Sequence, residues 1–128
     1  HFLLVGRGVT ADDPVLRDLA GQPALEGRVH LLGQRADMPD FLAALDLLCL
    51  PSLYGEGFPN VIGESMACGV RCLATDVGDA REIIAETGLV VAPGDVPALA
   101  DGLTALLSTP RAQVAAAEEA CRRRVREN

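Results

Sequence analysis

Lysine is absent from this chain of 128 residues: all 11 basic side chains are arginines, set against 18 acidic ones, which gives a net charge of -7. A Walker-type phosphate site, a Schiff-base nucleophile and a lysine-rich nucleic-acid surface each need the residue that is missing. An acidic chain also repels phosphate backbones, and a content of one tyrosine and no tryptophan offers few platforms for base stacking. We therefore expect no nucleic-acid partner.

Histidines and long apolar runs are also scarce. The two histidines are His1 and His30, and His30 lies in an apolar run where we interpret it as a packed strand residue. No run approaches the roughly 20 apolar residues that span a bilayer, and no signal-type segment opens the chain. The sequence thus predicts a cytoplasmic protein without a metal site.

The four cysteines lack the short paired spacing of a zinc site. They lie in apolar or helical surroundings, which favours buried free thiols in a reducing compartment over disulfides. They are Cys49, Cys68, Cys72 and Cys121.

Short apolar runs alternate with segments of helical periodicity, and 49% of the residues are hydrophobic. The runs are too apolar for half-exposed strands and are typical of a parallel sheet covered on both faces. The predicted strands are 2–6, 28–33, 47–51, 70–75 and 89–92. The predicted helices are 14–20, 38–45, 61–68, 80–86, 96–107 and 111–126. We predict an α/β fold, a Rossmann-like parallel sheet with helices on both faces and two C-terminal helices.

Several residues mark the expected ends of these helices. Asp13 and Asn60 are predicted to begin helices as N-caps, and Gly69 and Gly88 are predicted to end them. The last helix is basic: residues 111–128 hold 5 arginines and 3 acids, while the preceding residues hold 6 and 15. We interpret its arginines as a solvated helix end, with contact to anionic lipid or another domain as the alternative.

Ligands of open parallel sheets bind beyond the carboxyl ends of the strands, where one segment of this chain is glycine-rich. In it Gly55 and Gly57 let the backbone approach a ligand, and the helix start that follows offers free amides to phosphate or sugar oxygens. Glu56 and Glu64 suit hydrogen bonds from paired hydroxyls of a sugar or ribose. The alternative is that both glutamates are solvated surface charges.

The full arrangement resembles the donor-binding, C-terminal domain of the GT-B retaining glycosyltransferases called group 1 or family 4. The resemblance covers 2–107 and rests on P-S-x-x-x-E-G-F-P-N, E-S-M-A-C-G-V, A-T-D-V-G-D-A-x-E-I-I and T-G-L-V-V-A-P-G-D. Its most specific part is the E-x7-E element formed by Glu56 and Glu64.

The resemblance implies roles for individual residues. Glu56 would contact hydroxyls of the donor sugar as the catalytic-site carboxylate, and Glu64 would bind the ribose diol. The loop 75–79 would line the cleft near the reacting sugar. Backbone contacts to the sugar and diphosphate would come from Gly57, Phe58, Pro59 and Asn60, and contacts along the base from Arg35, Ala36 and Asp37. The donor is a nucleotide-diphosphate sugar, and neither a metal nor another cofactor is implied.

The resemblance also implies that parts of the enzyme are missing. Family members carry an acceptor domain and a first strand–helix unit before the segment that matches residue 2. In the family's strand order, 3-2-1-4-5-6, the absent strand is central, so we expect the sheet to close over the gap or to be completed by a second copy in a homodimer. Arg71, where the family usually has proline, is expected to be a surface residue.

We thus predict that 1–107 is the donor-binding domain of a nucleotide-sugar-dependent glycosyltransferase, with a C-terminal helix in 108–128 packed on it. The isolated chain is expected to be inactive. The expected partners are the sugar donor, the missing acceptor domain and, in the full enzyme, a peripheral membrane surface. A non-catalytic nucleotide-sugar-binding or assembly module is the alternative, and a receiver-like domain fits less well because a switch lysine is absent.

Overall fold

The computed structural model describes residues 1–127. Strands and helices alternate, as predicted for an α/β fold. The strands are β1 (Phe2–Leu4), β2 (Val29–Leu31), β3 (Leu48–Leu50), β4 (Cys72–Thr75) and β5 (Leu89–Val91). The helices are α1 (Pro14–Ala20), α2 (Met38–Ala43), α3 (Asn60–Ala67), α4 (Ala80–Ile84), α5 (Val96–Leu107) and α6 (Arg111–Glu127), and a 3-10 turn (Ala85–Thr87) follows α4.

Within the described residues, the strands form two parallel sheets. β1 pairs with β2, and β3, β4 and β5 pair in that order. These are the pairings that the order 3-2-1-4-5-6 leaves once its central strand is removed. Closure of the sheet over the gap and its completion by a second copy both stay predictions.

The chain divides into two compact units, the first covering His1–Met38 and the second beginning at Pro39. In the first unit, His30 lies half-buried in β2 with its ring 5.2 Å from that of His1. In the second, the fully buried Cys121 of α6 belongs to the same core as Ile62 and Met66 of α3. The three-stranded sheet, α3, α4 and α6 therefore share a core. The assignment of roles to 1–107 and 108–128 stays a prediction, and residue 128 lies outside the described residues.

Every residue of β4 is buried, and the strand lies between β3 and β5 at the centre of the second unit. Cys72 and Ala74 face the core formed with α3 and α4. Leu73 points the other way, against Gly102 of α5, where an added Cβ would come within 2.9 Å of its side chain. Helices thus cover both faces of this sheet, which confirms the predicted architecture.

Two of the predicted helix ends are confirmed. The Asp13 carboxylate accepts hydrogen bonds from the amides of Val15 and Leu16, so it caps α1. Gly69 ends α3 with a φ of 87°, a left-handed conformation that glycine adopts without steric cost.

The other two helix ends differ from prediction. Asn60 is the first residue of α3, and Pro59 occupies the capping position without any side-chain hydrogen bond to the helix. α4 ends before Gly88, because Ala85 takes a φ of 47° and a 3-10 turn follows. Gly88 is extended, and it is needed because a side chain there would clash with the carbonyl oxygen of Cys72.

The four cysteines are free. Cys72 and Cys121 are buried, and the Cys72 thiol lies 3.6 Å from the carbonyl oxygen of Val70. Burial raises the pKa of both thiols, which keeps them protonated and unreactive. Cys49 and Cys68 are only half-buried, so the expectation of buried thiols is confirmed for two of the four.

Arg71 is 6% exposed, and the expectation of a surface arginine is wrong. Its Nη1 donates hydrogen bonds to the carbonyl oxygen of Leu106 at 2.9 Å and to the Thr109 hydroxyl at 2.8 Å. The last carbonyls of a helix have no partner within the helix. Arg71 thus supplies a donor to a carbonyl at the end of α5 and, through Thr109, stabilises the connection between α5 and α6.

Two arginines of α6 have the same kind of partner. Arg122 Nη2 donates to the Cys68 carbonyl oxygen at 3.2 Å, and Arg124 Nη2 donates to that of Glu82 at 2.7 Å. The interpretation of this cluster as a solvated helix end is therefore wrong for Arg122 and Arg124, which donate to main-chain carbonyls, and contact of the cluster with anionic lipid stays a prediction. Arg123 between them is exposed.

Candidate functional site

Glu56 lies in the turn that follows β3, here called the Glu56 turn (residues 52–58). The Ser52 hydroxyl donates a hydrogen bond to Glu56 Oε1 at 2.7 Å. The Ser52 carbonyl oxygen in turn accepts a hydrogen bond from the Thr75 hydroxyl at 2.5 Å. Within residues 1–127 no hydrogen bond reaches Glu56 Oε2. The half-buried carboxylate is thus oriented through one oxygen, and its other oxygen is available to a ligand.

A second loop, the Gly78 loop (residues 76–79), packs against the Glu56 turn. The Asp79 amide donates to the Gly57 carbonyl oxygen at 3.0 Å. Gly78 has a φ of 56°, and a Cβ there would clash with the carbonyl oxygens of Glu56 and Gly57. The family resemblance implies a place for this loop at the site, but the sequence pattern did not indicate the role of Gly78. The signal in the sequence was a glycine three residues after a buried strand.

The start of α3 lies directly after the Glu56 turn. Pro59 is buried, Asn60 and Glu64 are exposed, and Phe58 is 63% exposed. Because no side chain caps the first turn, its amide groups are open to an anionic or hydroxylated ligand. Asn60 and Glu64 share one face, since they are four residues apart and side chains lean toward the helix N-terminus. The second unit therefore places amide donors and two carboxylates along one segment.

The three residues predicted to lie along a base belong to the first unit. Arg35 Nε donates to Asp37 Oδ1 at 2.8 Å, and this hydrogen bond holds the pKa of the Asp37 carboxyl below its ordinary value. Ala36 between them is exposed. The structure thus pairs Arg35 with Asp37.

Neither a metal cluster nor a membrane span is found in the part of the chain that the structure describes. No group of three or more histidine, cysteine, aspartate or glutamate side chains there is arranged to hold a metal ion. None of the helices described there has both the length and the apolar character needed to cross a bilayer.

Comparison with known proteins decides the family. The sequence model described as glycosyl transferases group 1 matches residues 1–109, which is most of the chain. The chain belongs to the group 1 glycosyltransferases.

A curated relative of this chain is a phosphatidyl-myo-inositol mannosyltransferase of Mycobacterium leprae, 39% identical over 130 residues. That alignment covers 96% of the chain and 33% of the relative. A lipopolysaccharide core biosynthesis mannosyltransferase, LpsB of Rhizobium meliloti, is 36% identical over 80% of the chain and 30% of its own length. The chain thus spans about a third of the length of these two curated relatives.

A solved structure supports the same relationship. HepE of Anabaena, in complex with UDP and glucose, superposes with a TM-score of 0.83 at 29% sequence identity. The match covers 98% of this chain and 35% of HepE. The predicted resemblance to a GT-B glycosyltransferase domain is therefore confirmed.

Proposed function

We propose that this chain is the donor-binding part of a group 1 glycosyltransferase that transfers a sugar from a nucleotide-diphosphate donor with retention of configuration. The observation that carries the proposal is the Glu56 carboxylate, oriented by Ser52 through Oε1 and open at Oε2. A half-buried, oriented carboxylate suits a pair of sugar hydroxyls, because each charge-assisted hydrogen bond contributes about 1.5–3 kcal/mol. Glu56 is the residue that we propose at the reacting sugar.

The segment after Glu56 supplies the remaining contacts in this proposal. The backbone from Gly57 to Asn60 and the uncapped start of α3 receive the sugar and diphosphate oxygens. Glu64 accepts hydrogen bonds from the ribose hydroxyls, since a carboxylate beside a phosphate would repel it. The stretch 35–37 lies along the base. The mannosyltransferase relatives and the UDP and glucose of HepE support a hexose carried by a nucleotide.

The chain also lacks parts that the reaction needs. It matches about a third of the two mannosyltransferase relatives described above, and its two sheets lack the central strand of the family's order. We therefore propose that transfer requires the acceptor domain and the first strand–helix unit of a longer protein, and that this chain alone binds donor weakly without transferring sugar.

A titration of the labelled chain tests donor binding. UDP-glucose and GDP-mannose are added separately while the backbone amide signals of residues 56–64 are followed by NMR. We expect one donor to shift these signals, and Glu56→Gln or Glu64→Gln to weaken binding by about tenfold, which corresponds to about 1.4 kcal/mol. Glu86→Gln makes the same charge change at an exposed residue of the 3-10 turn and is expected to have no effect.

Two results would count against the proposal. Signals that stay unperturbed with both donors would remove the donor-binding role. Binding that survives without any transfer when a matching acceptor domain is supplied would favour a non-catalytic nucleotide-sugar-binding module instead.

A further inference from the structure

α6 holds the carboxyl ends of the two helices that follow the site loops. Arg122 donates to the Cys68 carbonyl oxygen beyond the last turn of α3. Arg124 donates to two carbonyl oxygens of α4, those of Glu82 at 2.7 Å and Ile83 at 3.5 Å. α4 has only five residues, so its own hydrogen bonds are few and its position depends on tertiary contacts.

Three hydrogen bonds link Arg124, by way of the backbone of Ile83 and Asp79, to Gly57, the residue next to Glu56. The Ile83 carbonyl accepts from Arg124, and the Ile83 amide donates to the Asp79 carbonyl at 2.9 Å. The Asp79 amide donates to the Gly57 carbonyl at 3.0 Å. Asp79, the last residue of the Gly78 loop, is thus held at its carbonyl by α4 and at its amide by the Glu56 turn.

Side chains of α6 also lie next to side chains of the Glu56 turn and the Gly78 loop. Arg124 and Val125 of α6 line a cavity of about 360 Å³ together with Phe58 and Asp79. α6 therefore lies beside Phe58 of the Glu56 turn and Asp79 of the Gly78 loop.

We propose that Arg124 is a positioning residue for the Glu56 turn, acting through α4 and the Gly78 loop. The proposal rests on the proposed function in one respect, namely that the positioned turn binds a nucleotide-sugar donor. Arg124 holds two carbonyl oxygens of a five-residue helix and thereby fixes Asp79, which in turn holds the Gly57 carbonyl. Arginine suits this task because its planar fork offers several donors to neighbouring acceptors, whereas a lysine would reach fewer of them.

The test compares Arg124→Gln and Arg124→Lys with Arg123→Gln, a control that removes an exposed charge from the next residue of α6. Without ligand, we expect Arg124→Gln to shift the amide signals of Gly57 and Asp79 and to speed hydrogen exchange at Asp79. Exchange at Leu73 in the core should change much less. Arg124→Lys should give an intermediate effect, and Arg123→Gln none.

With the donor that the wild-type chain binds, UDP-glucose or GDP-mannose, affinity should fall about 3-fold to 10-fold in Arg124→Gln and stay unchanged in Arg123→Gln. The signals recorded without ligand keep this test separate from the donor proposal. A wild-type chain that binds neither donor would contradict the donor-binding role. The amide signals of Gly57 and Asp79 would still show whether Arg124 positions the turn. Signals that match the control, or exchange that rises equally at Asp79 and Leu73, would overturn the positioning role.

Discussion

Gly78 lies where any larger residue would meet two carbonyl oxygens of the Glu56 turn. Its positive φ adds a second reason for glycine, because residues with a Cβ adopt this region at a cost. Glu56 illustrates the opposite case, since its chemistry is visible in the sequence but its orientation by Ser52 is not. A spacing of four residues inside a turn does not specify a hydrogen bond, so the sequence could indicate the carboxylate and not its partner.

Replacement of this glycine should therefore disturb the site more than the fold. We expect Gly78→Ala to break the hydrogen bond between Asp79 and Gly57 and to lower the free energy of unfolding by about 1–3 kcal/mol. Thermal unfolding and the amide signals of Gly57 and Asp79 provide the measurements. Gly63→Ala is the matched control, because its added methyl meets open space in α3 and should raise stability by up to about 1 kcal/mol. Equal effects at the two glycines would contradict this assignment.

At the scale of the elements, each predicted strand and helix is found, with boundaries that differ by a few residues. Apolar runs and helical periodicity carry this information because they follow directly from burial. The partners of Arg71, Arg122 and Arg124 could not be predicted in the same way, since all three bind main-chain carbonyls. Because every residue has a main-chain carbonyl, the sequence does not indicate which carbonyl an arginine binds.

Arg71 provides the clearest test of such a contact. Arg71→Met keeps most of the side-chain volume but leaves the Leu106 carbonyl and the Thr109 hydroxyl without their donor. We expect the free energy of unfolding to fall by about 3 kcal/mol, since hydrogen bonds from charged groups contribute about 1.5–3 kcal/mol each. Urea unfolding measures this change. Arg111→Met, at the exposed start of α6, should stay within about 0.5 kcal/mol of wild type, and a similar loss there would refute a specific contact at Arg71.

At the scale of the whole molecule, the chain has no lysine to titrate at alkaline pH, and burial raises the pKa of the Cys49, Cys72 and Cys121 thiols. Because burial raises the pKa of Cys72 and Cys121, the folded chain binds more protons than the unfolded chain above about pH 8.5. Their contribution to stability is complete below that pH and is lost as the pH rises.

We therefore expect the free energy of unfolding to fall between pH 8.5 and 10.5, by up to about 1.4 kcal/mol per pH unit for each thiol. Urea unfolding at a series of pH values measures the slope. Cys121→Ala should be less stable than wild type at pH 8 and should lose less stability as the pH rises. An unchanged slope in this variant would show that the Cys121 thiol does not cause the alkaline loss.

The position of α6 in the chain has a consequence for the order of events during synthesis. Translation proceeds from the amino terminus at roughly 5–20 residues per second, so the helices α3 and α4 emerge before the arginines that hold them. Between the completion of α4 and the arrival of Arg124, the ribosome adds about 40 residues, which takes roughly 2–8 seconds at that rate. During that interval the nascent chain has the Glu56 turn without the contacts that Arg124 makes to α4.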